Sequence, residues 1–236
     1  MILLDTANAH TFLEALRFIA DNPGFLLHKA LEQLELAGAA LGLAAVVVLP
    51  VGVLLGHFHR FSTLAIGGSI IGRALPSIVL IGVFLTVLGI GFVNNMVALA
   101  VLASGPLLVN SYEGVARVDP DVVEAAVGTG MSGRQVLRRV ELPLAVPLIF
   151  TGLRIAAVTV VATAPIASIA GGSGLGDIIV NQASYRLSGV IGASFCVMAL
   201  SAGVWLALAA LQRGVTPRGL RVGTINGAGT ERKELL

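Results

Sequence analysis

The sequence predicts an all-α polytopic membrane protein, a bundle of five core helices with short helices projecting from one face. Two compositional facts and one pattern lead there. Apolar residues make up 56% of the 236 and charged residues only 12%. A soluble domain carries about 25% charged residues. Half of that leaves too little charge to cover a globule in water, so lipid is the natural solvent of this surface. The 29 glycines fit closely packed membrane helices. The pattern is a series of nearly uncharged stretches, each close to the ~20 residues that cross a bilayer.

The elements follow in order. Residues 1–20 lack a basic region ahead of an apolar core and do not read as a cleavable signal peptide. Phe12, Leu13, Leu16 and Ile19 recur at helical spacing, which predicts a short amphipathic helix. It either lies at the membrane surface or packs on the bundle, and Asn22-Pro23-Gly24 breaks it. The first span covers 36–56, with Glu35 at its edge. A second apolar region, 62–92, is interrupted by Arg73 and Pro76 and reads as an entry segment followed by a helix from about residue 74. A third span covers 94–112, a polar stretch 113–141 follows, and a fourth span covers 144–169. A glycine-rich connection, 171–189, leads to a fifth span at 190–211. The organisation is therefore an external N-terminal segment (1–33), a membrane domain (34–211) whose polar loop is 117–143, and a polar tail (212–236) expected to be disordered at its end. Small-xxx-small pairs at Gly38/Gly42, Gly52/Gly56 and Gly68/Gly72 let backbones approach, within this chain or between subunits.

Five spans put the termini on opposite sides, and basic residues decide which side is which. One set of connections holds ten: Arg60, Arg117, Arg134, Arg138, Arg139, Arg213, Arg218, Arg221, Arg232 and Lys233. The other set holds three: Arg17, Lys29 and Arg186. The polar loop and the C-terminus are therefore expected in the cytoplasm, and the N-terminus and the glycine-rich connection outside.

The polar loop has its own local logic. Asp119 suits an N-cap, Pro120 the first helical position and Asp121 the positive end of a helix. The helix runs through Glu124-Ala125-Ala126 and stops at Gly128 and Gly130. Ser132 caps a second helix, with Gln135 three residues on as in a capping box, and Pro143 marks its kink or end. Two short helices about a glycine make a docking device: Ala125 and Ala126 leave a shallow face, Glu124 can meet basic or amide groups, and Gly130 supplies a positive φ.

Glu124-Ala125-Ala126, Gly130, Val140 and Leu142-Pro143, at their spacings, resemble the EAA signature of ABC importer permeases. The consensus places Ile where this chain has Val140, and many members carry Arg where it has Val127. The resemblance implies a five-core-helix permease bundle whose cytoplasmic coupling helices sit in a cleft of an ATP-binding subunit. It also implies a second permease copy or a paralogue and an external solute-binding protein, in a bacterial inner membrane. Ala74-Leu75-Pro76-Ser77, Leu88-Gly89-Ile90-Gly91, Val140-Glu141-Leu142-Pro143-Leu144 and Gly171-Gly172-Ser173-Gly174-Leu175-Gly176 look like the osmoprotectant subgroup, which imports glycine betaine, choline, carnitine or proline. An importer for methionine or another small solute is the nearest alternative, and an intramembrane enzyme the alternative of another class.

Other constellations weigh little. A phosphate-binding loop needs Gly-Lys-Ser/Thr. The only lysines, Lys29 and Lys233, follow no glycine, so ATP and Mg belong to the partner and this chain carries no cofactor. His57 and His59 have no neighbouring carboxylate in sequence and read as interfacial rather than metal-binding. Cys196 stands alone, so no disulfide forms within the chain. Basic residues form no aromatic-interleaved stripe for nucleic acid. Arg73, Pro76 and Arg154 lie in or beside apolar segments and are candidates to line a pathway. For each arginine the alternative is snorkelling to the headgroups or pairing in the bundle. Trp and Tyr do not cluster in the spans, so no aromatic cage and no tight solute site are expected.

Overall fold

The computed structural model describes residues 2–58 and 76–215 of the chain. Arg73, Gly68/Gly72, His59, the segment 62–75 and the tail beyond residue 215 lie outside the described residues.

Helix α1 (Ile2–Asp21) ends where expected. Asn22 leaves helical geometry (φ −126, ψ 42), and Pro23 opens α2 (Pro23–His57). Proline suits that place because its missing N–H would find no partner in a first turn. The 35 residues of α2 rise about 52 Å, well beyond a hydrocarbon core of about 30 Å. The expected boundary between 33 and 34 therefore falls inside a helix. Helix continuity needs only the absence of a breaker, so the helix runs on past the ends of the apolar span expected at 36–56. The amphipathic α1 packs along the last long helix, with Phe12 edge-on to Phe195 at 5.5 Å and Ala15 fully buried.

Helix α3 (Ser77–Leu88) has 12 residues, about 18 Å, which is short of a bilayer core. The span expected from about 74 to 92 stops there because Gly89 and Gly91 take φ of 76° and 136°, values that side chains disfavour. Next come α4 (Phe92–Ala116), α5 (Pro120–Gly128) and α6 (Gly133–Val136). A π turn (Leu137–Glu141) joins α6 to α7 (Leu142–Thr163), which tightens into a 3-10 segment (Ala164–Ala170). Helix α8 (Gly176–Val180) and α9 (Gln182–Val215) complete the chain, and α9 is bent at Arg186 (φ 57, ψ 177). Among the described residues four helices are long and apolar enough to cross a membrane: Pro23–His57, Phe92–Ala116, Gly133–Ala170 and Gln182–Val215. They match the first, third, fourth and fifth expected spans.

The core is built from small residues. Ala37, Ala40 and Ala44 of α2 meet Ala98, Leu99, Ala103 and Leu107 of α4 and Ala156, Val160 and Val161 of α7. Lipid tails are as apolar as leucine, so close van der Waals packing has to hold such helices together. Glycines set the tightest crossings. A Cβ on Gly56 would lie 2.7 Å from Tyr112 O, and one on Gly152 would lie 2.6 Å from Asn110 Cβ. Gly52/Gly56 thus serves packing within this chain, whereas nothing stands within 4 Å of the Cβ directions of Gly38 and Gly42.

Candidate functional site: the loop between α4 and α7

Three local expectations for the loop are met by named bonds. Asp119 Oδ1 accepts from the Asp121 N–H at 2.9 Å and caps α5. At the other end the Gly130 N–H donates to Val127 O (2.8 Å) and the Met131 N–H to Ala126 O (3.3 Å). That pair of bonds is a Schellman ending, and it requires the left-handed residue that Gly130 supplies at φ 87. The Ser132 N–H donates to Gln135 Oε1 at 2.8 Å and starts α6.

The two short helices face different ways along their own surfaces. Ala126 and Val136 are buried and pin the loop to itself. Val122, Glu124, Ala125 and Val127 are exposed. Glu124 has no hydrogen bond or ion pair within the described residues, which leaves its carboxylate available to an incoming group. Exposed Arg134, Arg138 and Arg139 stand on the second half of the loop. The result is an acidic, small-residue helix followed by a basic turn, on one projection from the bundle.

Pro143 does not end the helix. The chain stays helical from Gly133 to Ala170, with Leu142 and Pro143 in the first turn of α7. Proline lacks the donor that an α-helix needs and crowds the carbonyl four residues back. The π turn accommodates both, and the Leu142 N–H bonds to Leu137 O, five residues back instead of four.

Sequence reasoning missed the best-buried charge at the site. Glu141 is 2% exposed, and its Oε2 lies 2.6 Å from Nδ1 of His57 at the end of α2. The two are 84 residues apart, so no spacing could reveal the pair. Beside the loop the ends of α4 and α7 pack closely, where a Cβ on Gly114 would lie 3.2 Å from Ala145 O.

The remaining candidates lie apart from the loop. Pro76 is exposed on extended backbone (φ −60, ψ 132) and precedes α3. Arg154, on α7, places its guanidinium 5.5 Å from the centre of the Trp205 ring of α9, a cation–π contact. At the far end of the bundle a polar layer surrounds the glycine-rich connection. Gln33 Nε2 donates to Val161 O at 2.9 Å, and Asn95 Nδ2 approaches Ala170 O at 3.5 Å. Gln33 Oε1, both amide atoms of Asn94, Asn95 Oδ1 and Ser168 Oγ are buried without a partner among the described residues. Lys29 ties α2 to α8 there, 2.7 Å from Asp177 and 2.9 Å from Glu32. Tyr185 packs against Phe18 and Phe25, with ring centres at 6.4 and 6.0 Å. No group of three or more metal-ligating side chains occurs among the described residues.

This arrangement, long small-residue helices with a two-helix projection, is that of the membrane subunits of ABC transporters. A chain of the MetNI methionine ABC transporter in an inward-facing conformation superposes with a TM-score of 0.72 at 23% identity, over 81% of this chain and 96% of that one. A chain of an amino acid ABC transporter crystallised with histidines gives 0.66 at 20% identity, over 86% and 97%. Residues 48–218 match the sequence profile of the binding-protein-dependent transport system inner membrane component, and the chain belongs to that family. It is a multi-pass inner-membrane protein. The glycine betaine/carnitine/choline permease OpuCB of Bacillus subtilis (strain 168) is 35% identical over 209 residues, covering 88% of this chain and 96% of its own. The choline permease OpuBB of the same strain is 34% identical over 206 residues, covering 87% and 95%. The osmoprotectant import permease OsmW of Salmonella typhimurium is 32% identical over 216 residues, covering 89% and 100%.

Proposed function

We propose that this chain is the transmembrane permease subunit of an ATP-driven importer for osmoprotectants, glycine betaine, choline, carnitine or proline, and that it hydrolyses no ATP itself. The observation that carries the reading is the projecting loop. Glu124 and Ala125 are exposed beside the buried Ala126, Glu124 has no partner among the described residues, and a Schellman ending at Gly130 fixes the turn into α6. A surface so shaped and so empty suits another protein. The partner that supplies energy is a pair of ATP-binding subunits, with Glu124, Ala125, Ala126, Gly130, Leu142 and Pro143 at the coupling contact. A second permease copy or paralogue completes the pathway, and an external binding protein delivers the solute. The excess of arginines on the loop's side of the membrane supports a cytoplasmic loop and C-terminus with the N-terminus outside. The solute class is supported by the names of the relatives, whose glycine betaine, choline and carnitine are compact quaternary ammonium compounds.

The test is uptake by the complex reconstituted with its ATPase and binding protein. Labelled glycine betaine should enter on ATP addition, and choline, carnitine or proline should compete. Competition by methionine alone would overturn the solute class and leave an importer of another small solute. Failure to co-purify with any ATP-hydrolysing subunit would overturn the importer reading.

A further inference from the structure

We propose that His57 is a positioning residue through which movement of the loop reaches α2. The proposal rests on reading the chain as an importer permease. The loop leaves the bundle from α4 and returns by α7, so those two helices follow it through the covalent chain. Helix α2 has no covalent path to the loop; it packs on α4, and the His57–Glu141 contact adds a direct polar tie to the turn that closes the loop.

The geometry is specific. Glu141 closes the π turn and is 2% exposed, and its Oε2 is 2.6 Å from His57 Nδ1. A Cβ on Gly133 would stand 3.6 Å from His57 Nε2, so the imidazole lies between the start of α6 and Glu141. The Phe58 ring flanks it at 5.2 Å between ring centres. One residue of helix turns about 100°. The extra residue of the π turn therefore decides that Glu141 faces α2; with an unbroken α-helix it would point about 100° elsewhere relative to α7. Burying a carboxylate is costly, and an apolar side chain would fill the same space without that cost. The pair is directional where packing is not: a push on Glu141 displaces His57 along one line. Helix α2 in turn is locked to α4 at Gly52 and Gly56, so α2, α4 and α7 all take the loop's displacement.

The experiment measures solute transported per ATP hydrolysed in the reconstituted complex. His57→Ala should assemble with the ATPase and hydrolyse ATP within about twofold of wild type, while transport per ATP falls about tenfold, in the range of ordinary inter-site couplings. His57→Asn, whose amide nitrogen stands near the place of Nδ1, should recover most of that loss. Should His57→Ala fail to insert, the double variant His57→Leu/Glu141→Leu removes both polar partners and leaves no charge buried alone. It should assemble and show the same loss. Wild-type transport per ATP in His57→Ala or in the double variant overturns the proposal, as does a His57→Asn variant no better than His57→Ala. A wild-type complex with no ATP-driven uptake overturns the importer reading instead, and the link with it.

Discussion

Gly130 shows how much one residue position can dictate. Its φ of 87° lies where a side chain costs roughly 1–2 kcal/mol and a β-branched one more. Gly130→Val leaves every span intact, so the subunit should still insert and be recovered in normal amount. Uptake should fall about tenfold or more, since each 1.4 kcal/mol of lost coupling is worth that factor. Near-normal uptake would remove this turn from the mechanism. Gly130, Asp119, Ser132 and Gln135 were all legible in the sequence, because a cap or a Schellman ending is decided by residues a few places apart. His57 and Glu141 were not. A pair formed across 84 residues leaves no local trace, and the nearest carboxylate to a histidine in space is not the nearest in the chain. Arg154 was legible only as a choice between lining a pathway and pairing, and the Trp205 ring beside it is a pairing contact.

At the scale of elements, hydropathy located four long helices but misjudged their ends. It measures where lipid would be tolerated, whereas helices end where caps and breakers stand. Thus α2 begins at Pro23, α3 ends at Gly89, and the helix after the loop passes through Pro143 because a wider turn absorbs the ring. Which glycine pairs matter also escaped the sequence, since all three looked alike. The structure separates two of them. Gly56→Val would drive a branched side chain into Tyr112 O and Val115, with a Cβ already at 2.7–2.8 Å from both. Overpacking of this kind costs about 1–3 kcal/mol, and the purified subunit should melt several degrees lower in detergent. Gly38→Ala has open space before it and should leave the melting temperature unchanged. Equal melting of the two variants would show that the α2–α4 crossing is looser than described.

For the whole molecule, the fold class followed from composition and the run of span-length uncharged stretches, because only lipid suits so little charge. The packing of α1 on α9 did not, since an amphipathic helix looks the same whether its apolar stripe meets headgroups or protein. Topology remains a matter of arginines. In a variant lacking Cys196, a cysteine at exposed Ser184 should react with an impermeant thiol reagent added to intact cells, and one at exposed Ser132 should react only after lysis. The reverse pattern would invert the molecule and remove the docking reading with it. The long helix from Gly133 to Ala170 adds a mechanical consequence. Its 38 residues make a beam of about 57 Å. A rigid tilt of about 10° at the loop would sweep its far end by about 10 Å. The half away from the loop carries Val161 O and, at its tip, Ala170 O, the carbonyls on which Gln33 and Asn95 rest. A small rotation applied at the loop would thereby be magnified into a larger displacement at the opposite end of the bundle, where those two amide contacts would have to give.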